Sequence, residues 1–349
     1  LKQGETQGSD VAAHSAGVLD IKTTILPDAD ALFLTAIDRY GHELWRWTFP
    51  VNKLNQANEV LSPLSNKVTS TETENELTVK AKNHTFIFSK KDGQLKGVSV
   101  NNRKISFANG PRFIGARRAD RSLDQFYNHD DEKAKEKDRT YSEFPDAAVF
   151  TKLDVKEDGG NLIVTADYKL GNLDKVQWTI NPNGEAVLDY TYNFSGVVDL
   201  MGICFDYPED QVISKRWLGA GPYRVWQNRI HGTQYDVWEN DYNDPIPGET
   251  FTYPEFKGYF GSVSWMNIRT KEGTISLTNE TPDAYIGVYQ PRDGRDRLLY
   301  TLPESGISVL NVIPPVRNKV NSTDLCGPSS QPKWVNGPQS GRIIFRFME

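Results

Sequence analysis

Residues Trp217–Trp238 read WLGAGPYRVWQNRIHGTQYDVW. They hold three tryptophans, two tyrosines, a Gly-x-Gly-Pro run, two arginines and one of the chain's five histidines. Two readings are open from the residues alone: a ring-lined surface for a sugar, or the stiff corner of a β-fold. Gly219, Gly221 and Pro222 have the chemistry of a rigid turn. On the second reading Trp217 and Trp238 pack beneath that turn, and Arg229 and Asp236 tie it down as an ion pair.

Outward from this stretch nearly everything reads as strand and turn. LTVKA, HTFIFS and LKGVSV alternate apolar and polar residues between the turns KKDGQ and NNRK, the pattern of a β-meander. Asp158-Gly159-Gly160 and Asn183-Gly184 are hairpin signals inside longer alternating runs. No long segment carries a helical period. About 270 residues of strands exceed one ordinary sandwich, so a large double-sheet sandwich is expected, because each half-apolar sheet must bury a face. The charge-dense region from Arg117 to Arg139 reads as a solvated loop.

Residues 1–50 read as two or three strands ending near Phe49, fewer than the roughly 100 residues of an immunoglobulin-type sandwich. The expected organisation is a partial immunoglobulin-like sandwich over 1–50, a polar linker over 51–74 and a sandwich domain over 75–349. The first residues lack both Met and a basic-then-apolar leader, so the chain reads as a piece of a longer protein.

The 349 residues include 8 Trp and 15 Tyr against 3 Met, a balance suited to sheets and ring-stacking surfaces. The net charge of −6, with no basic stripe, argues against nucleic acid as a partner. No apolar run approaches the roughly 18 residues of a membrane span. Two cysteines make neither a disulfide framework nor a zinc site: Cys204 reads as a small core residue and Cys326 as a loop residue.

Phosphate loops, zinc-binding histidine pairs and nucleophile elbows are absent from the sequence. A glycosidase pair requires two carboxylates facing each other across a sugar, which spacing alone does not reveal. Glu239, Asp241, Asp244 and Glu255 flank the aromatic band and read first as polar loop residues. His231 is the one histidine within that band, suited to a sugar hydroxyl or to a structural hydrogen bond. The rings from Trp217 to Trp265 suit stacking on sugar C–H faces, and equally a core between two sheets.

The opening stretch resembles the W-L-G-x-G-P…(D/N)-R…(Y/F)-D-x-W run of the C-terminal domain of glycoside hydrolase family 2 β-galactosidases. Trp217, Leu218, Gly219, Gly221, Pro222, Arg229, Asp236 and Trp238 carry the match. LTVKAKNHTFIFSKKDGQLKGVSVNNRKI is similar to that domain's first strands, and ESGISVLNVIPPVRNKVNSTDLCGPSSQPKW with GRIIFRF to its closing loop and last strand. ILPDADALFLTAIDRYGHELWRWTF is similar to the end of the immunoglobulin-like domain before it.

The resemblance implies an all-β chain: a β-supersandwich of the galactose mutarotase type, preceded by part of an immunoglobulin-like sandwich. It implies a parent that hydrolyses terminal β-galactosides or related glycosides, with its catalytic glutamates in an upstream TIM barrel. This chain then holds no catalytic residue, no metal ligand and no cofactor, while the parent is allowed a divalent cation. The implied partners are a carbohydrate substrate, the upstream barrel of the same chain and a second copy in a homo-oligomer. The compartment is left open between the periplasm and cytoplasm of a bacterium.

The family's C-terminal domain lends a loop to the active-site mouth, which falls here on 322–328. Asp324, Cys326 and Trp334 are therefore expected at the sugar, with His231 and Glu255 as further contacts. Cys326 stands where some members carry an aromatic residue, and Trp334 is the candidate to replace it. The sequence departs from the family at 113–118, where F-x-R-A-P-x-D-N-D is common, and around Glu255, where P-x-E-x-G-N-R is usual. Those departures imply a divergent substrate. Two other readings stay open: a stand-alone carbohydrate-binding module and an aldose epimerase.

Overall fold

The computed structural model describes residues 3–22, 24, 29, 31–51, 67–118, 141–241, 258–288, 303, 305–315 and 327–349. The chain divides into two compact units, Leu1–Asn55 and Gln56–Glu349. In the first, β1 (Ala31–Ile37) and β2 (Glu43–Pro50) pair as an antiparallel hairpin. Asp38 stabilises its turn by accepting from the N–H groups of Tyr40 and His42, each at 2.8 Å. Strand alternation gathers Leu32, Leu34 and Ala36 opposite Phe49, Trp47 and Trp45 on one face.

The second unit runs in chain order through β3 (Thr69–Glu72), β4 (Glu76–Ala81), β5 (His84–Ser89), β6 (Leu95–Val100), β7 (Arg103–Ile105) and β8 (Ala108–Arg118). It continues with β9 (Tyr141–Glu143), β10 (Val149–Asp158), β11 (Asn161–Lys169), β12 (Leu173–Ile180), β13 (Ala186–Val198) and β14 (Leu200–Asp206). The remaining strands are β15 (Val212–Gly221), β16 (Gln234–Asp241), β17 (Trp265–Thr270), β18 (Gly273–Asn279), β19 (Tyr285–Gly287), β20 (Ile307–Val312) and β21 (Lys333–Met348). They form a nine-stranded sheet ordered β10-β11-β12-β13-β21-β18-β17-β15-β16. The other sheet has ten strands ordered β19-β20-β14-β8-β6-β5-β4-β3, with β7 beside β6 and β9 beside β8. The architecture is all-β, two antiparallel sheets enclosing one core, as the alternation predicts.

Local chemistry accounts for the hairpins. Gly159 and Gly160 both adopt positive φ (57° and 91°), as the two-residue turn between Asp158 and Asn161 requires. The core lies between the sheets, where strand alternation buries every second residue: Leu162, Val164 and Ala166 on β11, then Val176, Trp178 and Ile180 on β12. Phe107 stacks on Phe205 at 4.5 Å and meets Phe345 at 5.1 Å, joining rings that belong to both sheets. Burying each such ring stabilises the fold by about 1.5–3 kcal/mol. Two polar ties also cross the core. His84 on β5 donates through Nε2 to the carbonyl of Phe347 on β21 (2.8 Å), and Tyr192 on β13 donates to Asn311 on β20 (2.6 Å).

Strand β14 breaks the one-sided pattern and is buried from Leu200 through Phe205. Met201, Ile203 and Phe205 enter the inter-sheet core, whereas Leu200 and Cys204 join a second apolar cluster with Val225, Trp226 and Tyr259. The middle of the opening stretch thus covers the outer face of the ten-stranded sheet. Cys204 is a buried core residue with a free thiol, raised to about 11 by burial.

Two expectations are corrected. Thr69–Glu72, assigned above to a linker, is strand β3 paired with β4. All four residues are exposed on an edge strand, so no apolar alternation marks them. Gly219 and Gly221 are not a turn: both lie in β15, paired with Asp236 and Gln234 of β16.

Candidate functional site

The glycines of the opening stretch are explained by what crosses them. A Cβ at Gly219 would sit 3.0 Å from the carbonyl oxygen of Gly261 and from Cα of Val263, whose segment bonds alongside through Ala220 N–H to Gly261 O (2.9 Å). At Gly221 the space of a Cβ is taken by the indole of Trp238, with Cγ and Nε1 at 2.6 Å. Trp217 and Trp238 face each other across the β15–β16 pair. Their indole N–H groups are spent on strand carbonyls, Ala220 O at 3.0 Å and Gln234 O at 3.1 Å. Among the described residues no ion pair joins Arg229 to Asp236; Arg229 bonds through its backbone to Trp226, and Asp236 accepts from the N–H of Val237 (2.7 Å).

The aromatic band separates by burial. Trp217, Trp226, Tyr259, Phe260 and Trp265 are core residues, while Tyr223 is exposed. Of the eight tryptophans, only Trp45 and Trp47 in the first unit and Trp334 in the second are exposed. Sequence reading passed over two cations in this region. Lys215 and Arg224 are both buried, with Nζ 5.9 Å and Cζ 5.2 Å from the Phe260 ring centroid, within cation–π range. Trp217 packs against the same ring in a T-shaped arrangement, with ring centroids 4.8 Å apart.

After Trp226 the chain turns to the end of the fold. The backbone N–H of Gln227 donates to the carbonyl of Pro314 (3.1 Å). Its side-chain Nε2 donates to the carbonyls of Ser329 (3.0 Å) and Gln331 (2.7 Å), and Asn228 Nδ2 donates to Ser330 Oγ (2.8 Å). One residue of the opening stretch therefore holds both flanks of 316–326. Ile313, Pro314 and Pro315 are buried on one flank, whereas Gly327, Pro328 and Ser329 are exposed on the other.

Of the residues expected at a sugar, Asp324, Cys326 and Glu255 lie outside the described residues. Trp334, the second residue of β21, pairs with Val197 of β13 and is 72% exposed, three residues beyond the Gln331 carbonyl that Gln227 grips. His231 is exposed in the turn before β16. Gln227 and Asn228 were not singled out from sequence, and their only prior signal is two amides following a buried Trp inside the stretch.

Elsewhere, an open depression of about 430 Å³ lies on the outer face of the nine-stranded sheet, lined in part by Gln177, Asp189 and Arg342 in one cross-strand row. Arg342 is held there between Asp189 and Glu280, each at 3.3 Å. Among the described residues the one histidine–carboxylate contact is His42–Asp38 (3.2 Å), in the first unit. No three His, Cys, Asp or Glu side chains converge as metal ligands among the described residues.

These features define a two-sheet β-sandwich domain in which Gln227 and Asn228 tie Pro314 to Ser329, Ser330 and Gln331. Residues 80–313, well over half the chain, match the family model described as beta galactosidase small chain, and the chain belongs to that family. No curated protein matches it. Among solved structures it is similar to a galactose 1-epimerase from Lactobacillus acidophilus NCFM, at 11% identity and TM-score 0.45, covering 82% of this chain and 99% of that one. It is also similar to a GalM/aldose epimerase homologue from C. elegans, at 8% identity and TM-score 0.41, covering 80% and 99%. At those values neither likeness bears on chemistry.

Proposed function

We propose that the chain is the C-terminal part of a family 2 glycosidase acting on β-galactosides or related glycosides. The catalytic glutamates and any divalent cation belong to an upstream TIM barrel, and this part completes the substrate rim through 322–328 and Trp334. The family match over residues 80–313 carries the reading. The apolar face of the β1–β2 hairpin supports the companion proposal that further strands of an immunoglobulin-like sandwich cover it. The test is hydrolysis of a nitrophenyl β-galactoside by the full-length protein and by this chain alone. Turnover by the former and none by the latter is expected; an upstream region without a TIM barrel would sink the proposal.

The exposed indole of Trp334 favours a second reading, a carbohydrate-binding module that works without the barrel. Calorimetric titration of this chain with β-galactosides and oligosaccharides distinguishes the two. Heat that is lost in Trp334→Ala supports the module; absence of heat with every sugar leaves the glycosidase reading alone.

A further inference from the structure

We infer that the depression on the outer face of the nine-stranded sheet is a binding site for a neutral, hydroxyl-rich ligand, a sugar unit of a longer glycan. The inference rests on the carbohydrate-binding reading above, not on the barrel or the rim, and gives that reading a surface. Strand pairing fixes which side chains share the surface. Lys175, Thr191 and Ser340 form one cross-strand row over β12, β13 and β21, and Gln177, Asp189 and Arg342 form the next. The intervening Val176 and Tyr190 are buried in the core, so both rows face away from it. A wall rises where β18 ends. Beyond Asn279, Glu280 N–H donates to Arg342 O (2.9 Å) and Arg342 N–H donates to Thr281 Oγ1 (3.0 Å). The turn is thereby pinned beside β21, with Glu280 and Pro282 along the depression.

The polar groups there are positioned and open. Arg342 contacts Asp189 Oδ1 through Nη1 and Glu280 Oε2 through Nε, each at 3.3 Å, and its Nη2 has no partner among the described residues. The guanidinium is thus pre-set as a donor, with Asp189 Oδ2 and Glu280 Oε1 beside it as acceptors. Among the described residues the side chains of Lys175, Gln177, Thr191 and Ser340 make no hydrogen bond. Charge selects the ligand class. Two cations and two carboxylates balance, so an anion meets Asp189 and Glu280 while a cation meets Lys175 and Arg342. An apolar ligand finds only Pro282 and the buried Tyr190 among the lining residues. A neutral ligand whose hydroxyls both donate and accept satisfies every group. The volume, about 430 Å³, is that of a small-ligand site. The exposed Trp334 adds a stacking ring on the same face, since its neighbour Val335 packs against the core. Strand rise sets it roughly 20 Å along β21 from Ser340, a span that a glycan of several units covers.

The test is calorimetric titration of this chain with neutral galacto- and gluco-oligosaccharides of increasing length, and with oligogalacturonate as the anionic counterpart. Heat is expected with the neutral series, with affinity rising with length. Oligogalacturonate should bind on the order of tenfold more weakly, because its carboxylates meet Asp189 and Glu280. Arg342→Met should weaken the best neutral oligosaccharide about tenfold, the worth of one hydrogen bond from a charged group. Gln177→Ala, which removes a neutral partner, should weaken it about threefold. Neither side chain is buried, so both melting temperatures should stay within about 2 °C of wild type.

Trp334→Ala separates the depression from the indole. Weaker binding in Trp334→Ala, with Arg342→Met and Gln177→Ala at wild-type affinity, overturns the depression as a site and leaves the carbohydrate-binding reading standing on Trp334. Weaker binding in Arg342→Met upholds the depression whether or not Trp334→Ala also weakens it. Oligogalacturonate bound as tightly as the neutral series overturns the assigned ligand class. Absence of heat with every saccharide, together with unretarded migration in gels containing galactan or glucan, overturns the inference and the reading beneath it.

Discussion

At the scale of single residues, the opening stretch is governed by steric need rather than by turn geometry. Neither Gly219 nor Gly221 has a positive φ, so neither is there for a left-handed backbone. Gly221 is glycine because the Trp238 indole occupies the space of its Cβ. Gly221→Ala is expected to destabilise the domain by about 1–3 kcal/mol, the usual cost of overpacking a closed site. In a Trp238→Leu background most of that penalty should vanish, since the obstructing ring is gone; denaturant titration of the four proteins completes the cycle. An equal penalty in both backgrounds would place the cause elsewhere. Gly-x-Gly-Pro was read as a turn because that chemistry is local, whereas the ring and the Gly261–Val263 segment reach the glycines only through pairing.

Between elements, the two sheets are joined by rings and by the bond from His84 on β5 to Phe347 on β21. Burial holds the His84 pKa below its ordinary value, opposed in part by that carbonyl and reinforced by nearby Lys82. The folded pKa is thus below the unfolded one, near 6.5. Above that pH both states are neutral and the contribution is fully present. As pH falls below it the unfolded chain takes the proton first, so stability is lost toward the folded pKa. Each pH unit separating the two pKa values removes about 1.4 kcal/mol. The expected outcome is a melting temperature that falls between pH 7 and 5 in the wild type and falls less in His84→Gln, whose amide can still donate to Phe347. Parallel pH profiles for the two proteins would show that other groups set the slope. The strands themselves were legible: the hairpins at 158–160 and 183–184, and the apolar runs between them, depend on neighbouring residues only. What joins elements far apart was not. Nothing local places β21 between β13 and β18, makes His84 meet Phe347, or gives Gln227 its carbonyls about a hundred residues away. The partners of Gln227, the carbonyls of Pro314, Ser329 and Gln331, were therefore legible only from the fold.

For the whole molecule, the division into two units makes a prediction about which part carries the stability. Among the described residues, every member of both apolar clusters in the second unit lies at or beyond Val68, so no described residue of the first unit belongs to that core. The hairpin of the first unit is the converse case. Two strands in isolation are marginal in water, and Trp45, Trp47 and Phe49 remain 55%, 44% and 48% exposed on the face they share with Leu32, Leu34 and Ala36. An apolar face of that kind belongs against another sheet, as its alternation indicates, and in its absence is a site of self-association. Removing residues 1–55 should therefore leave the calorimetric transition of the remainder cooperative, with a melting temperature within about 4 °C of the parent chain's. The same deletion should reduce binding of a hydrophobic dye and any concentration-dependent association, because the exposed rings leave with it. A loss of cooperativity or a much larger fall in melting temperature would mean that the sandwich needs the hairpin to fold. Unchanged dye binding would place the sticky surface on the second unit instead, and with it the surface to examine for oligomer contacts.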